Sequence, residues 1–330
     1  NILFAYANVG ARNHKLFKEA GDRIVAHKDF SADISNDFST VPYANLKEFR
    51  QKLFAQVADN IAARDDNEEA FKPQTMSNTV WAYATLDISH TSLFKKIADH
   101  IVGLDNLKAF APQALSNLVW AYATAKESHP KLFKKVSNHI VALDDLRAFA
   151  PQNLSNLVWA HATAKEVSPL LFQKIAEAAI KRQNEFSSQE LANLLYAFAT
   201  NGQTDQNLFE SLVPTVAAHI GKCDEQGLAN LAWAYAVANV AAPLLFDDDF
   251  ITACIVKEND FTSEGLRQLY QWNLWQEELK SNVRLPPILQ EKCKKAFVDN
   301  LVTISAFQDD VISQLKSIDL QPEEEVLTKS

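Results

Sequence analysis

The phrase SNLVWAYATAKESHPKLFKK begins at Ser116 and returns, 39 residues later, as SNLVWAHATAKEVSPLLFQK from Ser155. An apolar phrase repeated at this interval constrains the fold strongly. One unit cannot bury its own apolar face, and a stack of them can. With the Asn of this phrase as anchor, the repeat falls at Asn78, Asn117, Asn156, Asn193 and Asn230, spaced 39, 39, 37 and 37. A Phe preceded by Leu stands 16 residues after each anchor, at Phe94, Phe133, Phe172, Phe209 and Phe246. The opening NILFAYAN fits the same spacing through Asn1 and Phe17, and Phe54 belongs to a unit eroded near Phe38 and Pro42. Five clear units, two weaker ones and a divergent eighth around residues 264–276 cover the chain to about residue 300.

Each unit reads as two helices. The first runs from Pro112 to about Lys126 in the best copy, with Pro at the first turn, where its missing N–H does no harm. Ser187 and Glu190 stand in capping-box spacing in a later copy. The second helix follows a break containing Pro130, Pro169 or Pro243. Its apolar positions Leu132, Phe133, Val136, Ile140 and Val141 fall at helical spacing, with Lys134, Lys135 and Asn138 opposite. The first helix, with Leu115, Leu118, Val119, Trp120, Ala121, Tyr122 and Ala123, is apolar almost all round, so neighbours must cover it on several sides. The expected fold is all-α, an α-solenoid of about seven to eight helix-turn-helix repeats of 37–40 residues, wound as a right-handed superhelix. Residues 1–62 are expected to hold degenerate repeats, 63–256 regular ones, 257–300 a divergent capping repeat and 301–330 a separate C-terminal element.

One narrow polar line survives on the first helix. Gln precedes the anchor by four residues in all five clear units, and Thr follows by seven at Thr85, Thr124, Thr163 and Thr200. These positions share a helix face. At minus three the residue changes every time: Thr75, Ala114, Asn153, Glu190 and Gly227. Amides can pair with base edges, and one polar set per repeat is how helical-repeat RNA readers work. The candidate RNA-binding residues are therefore Gln74, Thr75, Asn78, Gln113, Ala114, Asn117, Gln152, Asn153, Asn156, Gln189, Glu190, Asn193, Gln226, Gly227 and Asn230. The competing reading makes the amides a ladder of hydrogen bonds between adjacent helices, near a core that needs its polar groups satisfied. Trp81, Tyr83, Trp120, Tyr122, Trp159, Trp233 and Tyr235 lie among Ala and Leu and are assigned to the core, with base stacking as the alternative. Lys95, Lys96, Lys134 and Lys135 are assigned to a solvated outer face, with phosphate contact as the alternative.

Several function classes drop out. Seven glycines in 330 residues leave no glycine-rich phosphate loop, and no HExxH or GxSxG motif is present. Cys223, Cys254 and Cys293 form no CxxC pair and read as reduced thiols. Asp247, Asp248 and Asp249 read as the charged start of a helix rather than a metal site. No run of 18 apolar residues suggests a membrane span. The expectation is a non-enzyme without metal or cofactor. Net charge is −9, with 22 Lys and Arg against 21 Asp and Glu in residues 1–200, and 10 against 20 in residues 201–330. The first two-thirds thus suits RNA better, and the acidic C-terminal third is expected to face a protein partner.

The stretch FAPQALSNLVWAYATAKESHPKLF resembles the octotricopeptide repeat, a helix-pair unit of about 38 residues with a PQ-x-L-SN-x-x-WA-x-AT core, and the likeness covers most of residues 1–278. The tail FQDDVISQLKSIDLQPEEEVLTKS, from Phe307, is similar to the helix and first strand that introduce a RAP domain, a small nuclease-like module. The resemblance implies an organellar protein, of mitochondrion or chloroplast, that binds single-stranded RNA and acts in transcript processing, stability or translation. Departures occur in the second unit and in the eighth, where Gln268 and Gln271 stand in place of Asn and Trp. The rival class is a protein-binding α-solenoid scaffold.

Overall fold

A computed structural model describes residues 54, 55, 58, 59, 71–127 and 129–301. Over these residues the chain forms α-helices and no strand. In order they are α1 (Pro73–Thr85) and α2 (Thr91–Gly103), α3 (Pro112–Thr124) and α4 (Pro130–Val141), α5 (Pro151–Thr163) and α6 (Pro169–Lys181). Then follow α7 (Ser188–Thr200) and α8 (Gln206–Ala218), α9 (Glu225–Ala238) and α10 (Asp248–Val256), α11 (Ser263–Glu278) and α12 (Pro287–Leu301). The five clear repeats and the divergent eighth each make one helix pair. The two weaker N-terminal units lie outside the described residues apart from Phe54, Ala55, Ala58 and Asp59, as does the RAP-like tail from Phe307.

The first helices start in two ways. α1, α3 and α5 carry Pro at the first turn and no side-chain cap. Where Pro is missing, an oxygen takes over: Ser187, Asp224 and Thr262 accept from the N–H three residues on in α7, α9 and α11. Ser187 and Glu190 close a reciprocal capping box, as their spacing predicts. Pro130 and Pro169 open their helices directly, whereas Pro243–Leu245 form a turn and α10 begins at Asp248, capped by Asp247, after the break and with the acidic start that the sequence predicts.

Odd-numbered helices pack on one another in a tight layer and even-numbered helices in a looser one. Small residues allow the close approach: Ala82, Ala121, Ala160, Ala197 and Ala234 recur at one position and are buried, beside buried Ser77, Ser116 and Ser155. Unequal spacing bends such a stack toward its tighter layer. A groove of about 380 Å³ that touches α5, α7, α9 and α11 lies on this tighter side.

Aromatic contacts lock each repeat to the next. The Phe of one second helix meets, edge-on, a ring of the following first helix: Phe54–Tyr83, Phe94–Tyr122, Phe133–His161, Phe172–Phe198 and Phe209–Tyr235, with centroids 4.9–5.2 Å apart. Tyr83, Tyr122 and Tyr235 also donate to the Phe carbonyls they meet. Lysines add a second tie. Lys135 Nζ donates to the Val102 and Leu104 carbonyls, and Lys174 Nζ to those of Val141 and Leu143, so each ammonium caps the C-terminus of the preceding second helix.

His161 occupies the Tyr position of its repeat but is too short for the same bond. Its Nδ1 donates to the Leu157 carbonyl at 2.8 Å, and its Nε2 is buried without a hydrogen-bond partner. Burial lowers its pKa, opposed by the Leu157 and Phe133 carbonyls. Restoring the hydroxyl by His161→Tyr is expected to stabilise the fold by about 1 kcal/mol, read as a higher urea midpoint. The gain should widen between pH 7.5 and 5.5. Folded His161 stays neutral while the unfolded chain takes up a proton below the ordinary value of 6.5, so the parent loses stability as pH falls. A constant gain across that range sinks the buried-neutral assignment. Lys174→Met is expected to cost about 1 kcal/mol by the same measurement, whereas Lys134→Met, at an exposed position, leaves the midpoint unchanged.

Candidate nucleic-acid interface

Taken from the Gln, the positions i, i+4, i+7 and i+11 of each first helix face the concave side. Gln74, Gln113, Gln152, Gln189 and Gln226 are all exposed. Asn78, Asn117, Asn156 and Asn193 are half-buried, and Asn230 is buried. At i+7 stand Trp81, Trp120, Trp159, Tyr196 and Trp233, all half-buried, and at i+11 Thr85, Thr163 and Thr200 are exposed with Thr124 half-buried. The tryptophans thus part company from the tyrosines two residues away, since Tyr83, Tyr122 and Tyr235 are 0–1% exposed. The sequence carried this signal. The periodicity that aligns Gln, Asn and Thr also aligns Trp, but the Ala and Leu around it suggested core.

The asparagines do not form a continuous ladder. Among the described residues, the side chains of Asn117, Asn156 and Asn193 have no hydrogen-bond partner. At the C-terminal end the column links up, where Gln268 Nε2 donates to Asn230 Oδ1 at 3.2 Å. Cross-helix bonds run instead through other positions. Asn153 Nδ2 donates to Ser116 Oγ, and Ser155 Oγ to the Glu190 carbonyl.

The minus-three residues turn toward their own helix starts and the neighbouring helix. Asn153, 7% exposed, accepts from the Ala150 N–H, and Glu190 accepts from the Ser187 N–H. Ala114 is buried, and Thr75 is half-buried with its carbonyl taking the Thr79 hydroxyl. Gly227 is buried, and a Cβ there would lie 3.0 Å from Asp224 Oδ1 and 3.7 Å from the Ala192 Cβ. Asn153 and Glu190 thus close their own helix starts.

Cations are sparse on this face. Lys126 and Lys165 end α3 and α5 in left-handed conformation, both at φ 57°, a place that usually falls to Gly or Asn. Both are exposed. On the outer layer Lys95 pairs with Asp99, Lys96 lies 6.0 Å from the Phe71 ring centre, Lys134 is exposed and Lys135 is the helix tie described above. The groove's C-terminal end is acidic. Glu225 and Glu264 line it with Trp159, Tyr196, Gln226 and Asn230, and the Tyr196 hydroxyl has a raised pKa from burial and the Glu264 charge.

Other chemistry is scant among the described residues. No group of His, Cys, Asp and Glu there could hold a metal ion, and no helix is long and apolar enough to cross a membrane. Cys223, Cys254 and Cys293 are free and buried, and burial pushes the Cys223 thiol up to about 11 and that of Cys293 to about 12.

No curated protein matches the chain. Residues 44–243, which span α1 to α9, match a family defined by the RNA-editing substrate-binding complex 8 protein, RESC8. That match covers more than half of the 330 residues and most of the amide-bearing helices, so the chain belongs to the RESC8 family.

Proposed function

We propose that this chain is a modular single-stranded RNA-binding protein of an RNA-editing substrate-binding assembly, working in an organelle and without catalysis of its own. The asparagine column carries the reading. Asn117, Asn156 and Asn193 hold unpaired amides half-buried at one height along a concave face, with an exposed Gln one turn before each. An amide offers two donors and an acceptor in a plane, which suits the edge of an unpaired base. The family's name supports RNA and a multiprotein setting. The octotricopeptide-like phrase supports a mitochondrial or chloroplast transcript as the ligand.

A second reading has its own observation. Leu170, Leu244, Val256 and Ile288 are 58–75% exposed, and among the described residues every exposed large hydrophobic lies at Val167 or beyond. That end also carries the acidic excess. A protein partner there is compatible with RNA on the N-terminal repeats, as a scaffold within the same assembly.

Fluorescence anisotropy of the 330-residue chain with a randomised single-stranded RNA pool tests the first reading, with duplex RNA and single-stranded DNA as controls. Saturable binding that favours single-stranded RNA is expected. Asn117→Ala and Asn156→Ala should each weaken it by about three- to tenfold, the worth of one or two hydrogen bonds. Asn138→Ala, on the outer layer, should leave it unchanged. Equal binding to every polyanion, or none, removes the RNA reading and leaves the scaffold.

A further inference from the structure

The half-buried rings on the concave face recur once per repeat. Trp81, Trp120 and Trp159 stand on consecutive first helices, with centroids 6.4 Å apart at each step and planes tilted by 33° and 31°. The column continues as Tyr196 and Trp233, 5.2 Å apart. Trp159 and Tyr196 are not in ring contact, and both line the concave groove. A flat base seated between two rings needs about 6.8 Å, twice the ~3.4 Å rise of stacked bases. At 6.4 Å between centroids the tryptophans fall short of that spacing, so a base lies against the exposed part of a ring rather than in a ready gap.

Charge bears on the same question. Lys126 and Lys165 are the cations that end the first helices beside this column, each two residues beyond its threonine, Thr124 or Thr163. Two phosphates' worth of positive charge cannot hold an RNA strand by electrostatics alone. The aromatic faces supply an attraction that does not depend on charge or on base identity.

We infer that Trp81, Trp120 and Trp159 are a base-stacking ladder, one rung per repeat, on which consecutive bases of single-stranded RNA lie with their edges toward Asn and Gln. This deepens the RNA-binding reading and rests on it. The ladder supplies affinity without sequence preference, and the amides one turn earlier supply whatever preference exists. The strand follows the stack axis and its backbone passes Lys126 and Lys165.

The test uses the full chain and an oligouridine and an oligoadenine of equal length, read by anisotropy and by quenching of tryptophan fluorescence. Because the rings also rest on the core, each position is changed twice: Trp120→Phe and Trp159→Phe keep an aromatic face, and Trp120→Leu and Trp159→Leu keep apolar bulk without one. Circular dichroism confirms the fold of all four. The ladder predicts that each Leu variant binds about tenfold more weakly, that each Phe variant stays within about threefold, and that quenching tracks binding. It also predicts a shallow salt dependence, with a log–log slope near −1.4 for two phosphate contacts at about 0.7 each. If RNA binds but Leu and Phe variants match the parent, or the slope is −4 or steeper, the ladder is overturned while the RNA-binding reading stands. Absence of any RNA binding removes both. Equal Leu-sensitive binding to single-stranded DNA keeps the ladder and widens its ligand class.

Discussion

The close packing of one first helix on the next is the constraint on which the rest of the molecule depends. Small buried residues favour it: Ala82, Ala121, Ala160, Ala197 and Ala234 recur at one position, and Ser77, Ser116 and Ser155 are buried in three repeats. Side chains that small let helix axes approach to the short end of the usual 8–10 Å range. The second helices carry Leu, Phe, Ile and Val at their inner positions and sit farther apart. From this single inequality follow the curvature, the concave face, and the near-contact spacing of the tryptophans.

Register between repeats is held by separate devices that work at different depths. Edge-on rings and tyrosine hydroxyls lock the interior, where an unmade bond is costly. Lysine ammonium groups tie the ends of second helices at the half-exposed rim. On the outer surface His90 and His129 accept the Leu93 and Leu132 N–H at helix starts, and their far nitrogens reach Asp59 and Asp99 at 3.4 and 3.3 Å. The concave layer is the exception. Among the described residues its asparagines in the middle repeats have no hydrogen-bond partner, so polar capacity is left open on that face.

The divergent C-terminal repeat shows what closes the series. Gln268 takes the asparagine position and bonds Asn230, while Gln271 replaces the tryptophan and Trp272 is fully buried instead. Trp275 Nε1 donates to Asn239 Oδ1 at 3.0 Å, fastening α11 to the left-handed end of α9. Amide pairing therefore does occur in this fold when the chain supplies the partner. Glu225 and Glu264 make the same end acidic. That end is the more negative and the surroundings of Lys126 and Lys165 the more positive, which agrees with the uneven charge of the two parts of the chain.

Sequence alone determined the helix pair, its length, the number of clear units and the polar line of Gln, Asn and Thr, because all of these are properties of spacing within one repeat. The capping box at Ser187 and the acidic start of α10 were legible for the same reason: their partners lie three residues away. Tertiary structure decided whatever depends on a neighbour 26 to 40 residues off. Tyr122 and Trp120 look alike among alanines, yet one is 1% exposed and the other half-buried. Asn153 and Asn156 look alike as amides, yet Ser116 of the previous repeat takes up one and leaves the other open. Lys135 has the look of a solvated side chain until the end of α2 offers it two carbonyls. Burial and hydrogen-bond satisfaction are set by how far apart the stacked helices sit, and no pattern within a single repeat records that distance.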